Sequence, residues 1–267
     1  MSVITFYGNN KIETAQTASM AGIATYLALE ENYKILMINT KYNDTSLQEC
    51  FWKQSTKPRN DLATGIGGLI KAIASNKTSP EIITNYTRTI FKERLEILTD
   101  NNIPKEDHEK QKGYMRTIIK MASKYYDLVF VDIEGSIEEE YIQGIFQESN
   151  LIIANTSQRI KFIQEFMTQK SKCSAINRDN ILLLLGKYDR FSKYNIKNIQ
   201  RTEKIQDIYG IPYNTMFFEK CNEGELADFI INYRKVKASS VQASIIEAIS
   251  EAGKRIIDKL KELQMQV

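Results

Sequence analysis

Short apolar runs alternate with stretches of helical period along almost the whole chain, and this alternation restricts its folding more than any other feature. A strand covered on both faces reads as a continuous apolar run, whereas a helix lying on a sheet needs apolar residues only every three or four positions. Residues 3–7, 34–38, 95–98, 128–131, 151–154 and 181–185 have the first pattern, with a shorter run at 215–217. Between the first two, Met20, Ile23, Ala24, Leu27 and Ala28 recur at helical spacing, with Thr14 or Thr17 placed to cap the helix, which completes a βαβ unit. Helices are further expected over 67–75, 109–124, 138–148, 160–170, 196–209, 223–232 and 240–263. The pattern predicts an α/β fold: a single three-layer domain with a mostly parallel sheet flanked by helices. Its 267 residues suffice for one well-filled core. Residues 1–238 are assigned to that domain and 239–267 to a C-terminal amphipathic helix. The helix's stripe of Val241, Ile245, Ile249, Ala252, Ile256, Leu260 and Leu263 is expected to pack on the domain or on a dimer mate.

Composition removes several classes. Apolar residues make up 42% and charged ones 26%, with 4 Pro and 12 Gly, which excludes a disordered chain or a collagen-like fibre. The longest apolar runs, such as 181–185, fall far short of the ~20 residues of a membrane-spanning helix, so no stable membrane insertion is expected. The first residues, Met1 to Phe6, read as a strand and not as an export signal, and a cytoplasmic location is expected. Cys50, Cys173 and Cys221 form no C-x-x-C pair and read as reduced core thiols. His108, among Glu106, Asp107 and Glu109, reads as a solvated loop residue, and a single histidine excludes Ser-His-Asp chemistry built on any other. Net charge is +3, yet from Arg159 to Lys204 eleven Lys/Arg stand against four Asp/Glu, so that stretch carries +7 and the remainder −4. It reads either as a solvated face, since no interleaved aromatics organise it, or as a site for DNA.

Chemistry is expected at the end of the first strand. Tyr7-Gly8-Asn9-Asn10-Lys11-Ile12-Glu13-Thr14-Ala15-Gln16-Thr17-Ala18 joins that strand directly to the first helix, the place of a phosphate-binding loop. Together with Lys34-Ile35-Leu36-Met37-Ile38-Asn39 and Tyr126-Asp127-Leu128-Val129-Phe130-Val131-Asp132, it resembles the MinD/ParA family of deviant-Walker P-loop ATPases. That family's loop reads K-G-G-x-G-K-T-[TS], its second strand K-V-L-L-I-D and its Walker B strand Y-D-x-x-x-x-D. Gly68-Leu69-Ile70-Lys71-Ala72-Ile73 with Ser79-Pro80-Glu81, and Ile211-Pro212-Tyr213-Asn214 with Glu223-Gly224, are similar to further family segments. On this register Lys11 falls on the signature lysine, Thr17 on the magnesium-binding hydroxyl and Asp132 on the Walker B carboxylate.

The rest of the loop departs from the family and makes a degenerate Walker A. Ile12, Glu13 and Ala15 take the three glycine positions, and Gln16 replaces the Walker lysine. Phosphate-cradling loops need backbone conformations that glycine adopts freely and a β-branched residue scarcely tolerates, so a different loop shape is expected. Glu13 adds a like charge against a triphosphate, roughly 3 kcal/mol per unit charge at ~5 Å and an effective dielectric near 20. Gln16 donates hydrogen bonds but supplies no charge. Asn39 stands for the acidic residue that closes the second strand, and Lys41 for the aspartate that looks to the attacking water. Asp44 would substitute only in a repositioned loop, and Ile133-Glu134-Gly135-Ser136 stands for T-P-P-G.

The resemblance implies a nucleotide site of Lys11, Gln16, Thr17, Asn39 and Asp132, with Thr17 and Asp132 on the metal and ATP and Mg as cofactors. The departures imply a pseudo-ATPase without catalytic residues. The expected function is that of a ParA/MinD-like positioning or scaffold protein, a homodimer serving a localisation or pilus machine in the manner of TadZ-like factors. Two alternatives stand beside it: an active partition or cell-division type ATPase in which Lys11, Thr17, Asp132 and Asp44 compensate, and a non-specific DNA-binding partition protein that uses Arg159 to Lys204. The plainest reading makes Lys11, Gln16 and Thr17 an ordinary strand-to-helix turn and Asp132 a cap of the next segment.

Overall fold

The apolar runs pair into one twisted sheet. The computed structural model describes residues 1–8, 14–53, 65–100, 103–176, 179–236 and 241–265. Among these, strands β1 (Ser2–Gly8), β2 (Ile35–Asn39), β3 (Arg88–Phe91), β4 (Leu95–Leu98), β5 (Leu128–Glu134), β6 (Leu151–Thr156), β7 (Ile181–Tyr188) and β8 (Ile208–Pro212) lie in the order β3-β4-β2-β5-β1-β6-β7-β8. Every neighbouring pair is parallel except β3 and β4. Helices follow as α1 (Gln16–Glu30), α2 (Ser46–Glu49), α3 (Gly65–Ala74), α4 (Lys105–Ala122), α5 (Glu140–Glu148), α6 (Ile160–Lys172), α7 (Ile196–Glu203), α8 (Thr215–Asn222), α9 (Leu226–Tyr233) and α10 (Val241–Met265).

Successive side chains of a strand point to opposite faces, so each central strand feeds two cores. Ile4, Phe6, Met37, Phe130, Ile153 and Leu184 pack under α1, α8, α9 and α10, while Tyr7, Ile38, Val131, Ile152 and Leu185 pack under α3 to α7. This is the expected three-layer α/β domain. The parity also decides the site: Gly8, Asn39 and Asp132 continue the rows that face α1, and Asn39 is registered against Asp132.

Four expectations need correction. The helix foreseen over 196–209 ends at Glu203, because Lys204 turns into the left-handed region (φ 55°), and 208–212 pairs with β7 as an extra strand. The run 215–217 is the first turn of α8, since the Asn214 side chain accepts the Phe217 N–H at 2.9 Å and starts a helix. Neither Thr14 nor Thr17 caps α1; its N-cap is Ala15, in the left-handed region and without a capping side chain. His108 belongs to α4 and is buried, with Nε2 3.0 Å from the Thr40 carbonyl oxygen and its ring 5.2 Å from that of Tyr42. The charged neighbours that suggested a loop are the exposed face of an amphipathic helix.

Candidate functional site

The carboxyl ends of β1 and β5 and the start of α1 meet at one place, where open parallel sheets bind ligands. Two close approaches fix this corner. A side-chain carbon on Gly186 of β7 would overlap the Thr14 carbonyl, and one on Gly8 would overlap the Gln16 amide oxygen. Ala15 has φ 53° and ψ 34°, a conformation that costs a residue with a Cβ about 1–2 kcal/mol. The residue that the sequence register set at a third glycine position thus has a left-handed backbone without being a glycine. Lys11, Ile12 and Glu13 lie outside the described residues, and with them most of the loop whose shape the sequence put in question.

Gln16 lines the cleft but turns its amide nitrogen toward the strand ends. Its two Nε2 N–H groups are shared among three acceptors, Asp132 Oδ1 at 2.5 Å and the carbonyl oxygens of Phe6 and Ile133 at 3.0 and 2.9 Å, which stitches the ends of β1 and β5 together. Thr17 Oγ1 donates to Asp132 Oδ2 at 2.6 Å. Lys41 then completes the arrangement: Nζ lies 2.8 Å from Thr17 Oγ1, 3.0 Å from Asp132 Oδ2 and 3.7 Å from Asp44 Oδ2. Asp132 is fully buried, so the pair is shielded from solvent. Burial pulls the Lys41 ammonium down, but the carboxylates of Asp132 and Asp44 outweigh it and hold the group above the usual lysine value.

Asn39 acts on the loop and not on the cleft. Its Oδ1 accepts the Lys41 N–H at 3.0 Å and its Nδ2 donates to the Asp44 carbonyl oxygen at 3.1 Å, which curls 39–44 so that Lys41 turns back over Thr17. Asp44 Oδ1 in turn accepts the Ser46 N–H at 2.8 Å. The structure therefore joins Gln16, Thr17 and Asp132 directly, places Asn39 behind them, and adds Lys41, which the sequence marked only as a lost carboxylate.

Thr17 and Asp132, the pair assigned to magnesium, do not fit that ion as arranged. The Thr17 proton goes to Asp132, both Asp132 oxygens accept hydrogen bonds, and the Lys41 ammonium lies against the hydrogen-bonded Thr17 and Asp132 oxygens. A dication sharing those oxygens would lie within ~4 Å of the ammonium, a repulsion of about 8 kcal/mol at an effective dielectric of ~20. Among the described residues no group of three or more His, Cys, Asp or Glu side chains is placed to hold a metal.

Beside this network opens a cleft of about 420 Å³, lined by residues 14–18 and by Lys41, Glu49, Cys50, Glu134, Phe218 and Cys221 among others. That volume suits a small molecule. Of the charged groups on its described wall, two are carboxylates and the third, Lys41, already faces Asp132. Cys50 and Cys221, distant in sequence, meet here; the neighbouring Cys221 sulfur and burial push the Cys50 thiol up, so it stays protonated and weakly reactive. Asn155, registered against Gly8, is buried, and among the described residues neither of its amide atoms has a hydrogen-bond partner. A polar partner there would relieve about 1–3 kcal/mol.

The basic stretch is spread over α6, α7 and the turn between β7 and α7. Aromatics do interleave in that turn, against the sequence expectation. Phe191 is 83% exposed with the Arg190 guanidinium 4.9 Å from its ring, and Lys193 Nζ is 4.9 Å from the Tyr194 ring.

No protein-family model matches this chain, and no curated protein matches it in sequence. Solved structures do match in fold. A ParA family ATPase from Chlorobium tepidum superposes with TM-score 0.71 at 14% identity, over 94% of this chain and 98% of that one. The cell division ATPase MinD of Pyrococcus furiosus gives 0.68 at 14%, over 96% and 100%. The septum site-determining protein MinD of Pyrococcus horikoshii, complexed with Mg-ADP, gives 0.65 at 18%, over 97% and 99%. From end to end, this chain has the fold of the MinD/ParA ATPases.

Proposed function

We propose that this chain is a ParA/MinD-like positioning or scaffold protein whose nucleotide site does not turn over ATP. The observation that carries the reading is the closed network of Gln16, Thr17, Lys41 and Asp132. Phosphoryl transfer depends almost wholly on positioned charge. Gln16 brings no charge and is bound to Asp132, and Lys41 puts a cation where the family has a carboxylate. The cleft, and an Asn155 amide without a hydrogen-bond partner among the described residues, support a site that still has room for a ligand. In this reading the protein works as a homodimer in the cytoplasm and holds a protein partner of a localisation machine, in the manner of TadZ-like pilus factors. No helix among the described residues is long and apolar enough to cross a membrane.

The deciding experiment is ATP turnover by the full chain with magnesium. Hydrolysis is expected below about one per minute, the slow regime of unassisted P-loop enzymes. Turnover at or above that rate, abolished by Asp132→Ala, would overturn the reading. Light scattering checks the scaffold part: a dimer is expected with or without ATP, since assembly then rests on protein surface. A monomer at high micromolar concentration under both conditions contradicts it.

A further inference from the structure

We infer that the Lys41 ammonium is the resident cation of this site, held by Thr17 and Asp132, the two residues that would otherwise hold a divalent ion, so that the chain binds no metal there. The inference rests on the same corner as the proposed function but concerns the metal and not turnover.

Three observations place the ammonium in that role. Its nitrogen is within hydrogen-bond distance of both oxygens assigned to the ion, Thr17 Oγ1 at 2.8 Å and Asp132 Oδ2 at 3.0 Å. A lysine ammonium offers three donors in a compact point charge, which suits a pocket of converging oxygens; the Asp44 carboxylate, 3.7 Å away and beyond hydrogen-bond distance, adds a second negative charge. The backbone is shaped to deliver it, because Asn39 holds both the Lys41 N–H and the Asp44 carbonyl. A surface lysine drifting toward a carboxylate would need none of this. Here the side chain is 11% exposed and its target is fully buried.

The consequence is a latent metal site. Removing the ammonium leaves Asp132 and Thr17 facing the space it filled, and replacing it with a carboxylate supplies a third oxygen ligand of the kind hard divalent cations prefer. Manganese(II), a paramagnetic substitute for magnesium, is the probe. Wild-type protein, Asp132→Asn, Lys41→Asn, Lys41→Asp and Lys41→Asn combined with Asp132→Asn are titrated with it and read by electron paramagnetic resonance, with thermal melts of the same samples. Wild type is expected to bind no Mn²⁺ that depends on Asp132. Lys41→Asn should gain one ion per chain in the weak range near 10⁻³ M, and Lys41→Asp should bind about tenfold tighter and melt higher as Mn²⁺ is added. The double variant should lose the ion.

Binding of one Mn²⁺ by the wild type, abolished by Asp132→Asn, overturns the inference. So does absence of binding in both single variants when each shows a cooperative melt. A variant that does not fold alone but acquires a cooperative melt on adding Mn²⁺ supports it. The two readings fail separately: ATP turnover by a chain that binds no Mn²⁺ removes the proposed function only, and Mn²⁺ binding without turnover removes this inference only.

Discussion

At the scale of single residues the molecule hinges on the charge balance around Asp132. A buried carboxylate without a counter-ion is among the costliest defects in a protein interior. Lys41→Met removes the cation but leaves the Gln16 and Thr17 donors in place, so the cost should sit near the lower end of the range for breaking a buried pair, about 3 kcal/mol. Urea unfolding should show this as a lower midpoint at unchanged slope. The pH dependence has a definite sign. A lysine whose folded pKa lies above its unfolded one contributes its full stabilisation below the ordinary lysine value, and that contribution fades as pH rises through the folded value. The stability gap between wild type and Lys41→Met should therefore stay level from neutral pH to about 10 and narrow only above it. Equal stability of the two proteins at pH 7 would mean that the pair contributes nothing. Much of this corner was legible in the sequence: Gln16 and Thr17 fall at the start of the expected first helix and Asp132 near the carboxyl end of an expected strand. Lys41 was legible as a departure but not as a partner. Its meeting with Asp132 follows from the register of β2 on β5 and from the Asn39 turn, and residue spacing encodes neither.

Among the elements, β7 and α1 control each other through Gly186. This glycine has no unusual φ to explain it; the Thr14 carbonyl occupies the place of its side chain. Backbone cannot swing aside as a side-chain tip can, so Gly186→Ala must move the loop end that carries Ala15 and Gln16. A loss at the upper end of the overpacking range, about 3 kcal/mol, is expected, and the nuclear magnetic resonance shifts of Gln16 and Thr17 should change with it. Gly144→Ala in α5 is the control, because its side chain would meet nothing within 4 Å and alanine favours a helix by about 1 kcal/mol. A neutral Gly186→Ala would show that the loop end is soft. Element types were readable wherever burial on both faces made a long apolar run, as in β1, β5, β6 and β7. β3 and β8 were not. β3 has four half-buried or exposed residues at the sheet edge, and β8 lies directly behind a helix whose end is set by the left-handed Lys204. A stretch as short as 215–217 carries no period of its own, and the Asn214 cap made it a helix.

For the whole molecule, α10 decides whether the sheet is closed on the α1 side. Ile245, Ile249, Ala252, Ile256 and Leu260 are buried in the core that holds Ile23, Leu27 and Phe217, and Leu27 touches the helix at Gly253. The helix is held at its flanks as well: Ser250 Oγ donates to the Tyr26 hydroxyl at 2.8 Å, and Asp207 lies 2.7 Å from both Arg255 Nη2 and Lys259 Nζ. Four large aliphatic side chains at ~1.5–3 kcal/mol each come to about 10 kcal/mol, as much as the net stability of a whole domain. The same stripe cannot serve lipid while it fills the core. What α10 leaves outside is mixed in charge, with Lys254, Lys261, Glu251 and Asp258 exposed. Polybasic attraction amounts to only ~1 kcal/mol per net basic residue near an anionic surface, too little to pull the stripe out. A chain ending at Ser239 should therefore lose its cooperative melt or precipitate, and the full chain should stay in the aqueous fraction when mixed with anionic liposomes. Flotation of the full chain that disappears on truncation, together with an unchanged melting temperature of the shortened protein, would show instead that α10 is a detachable membrane helix and that the core is complete without it.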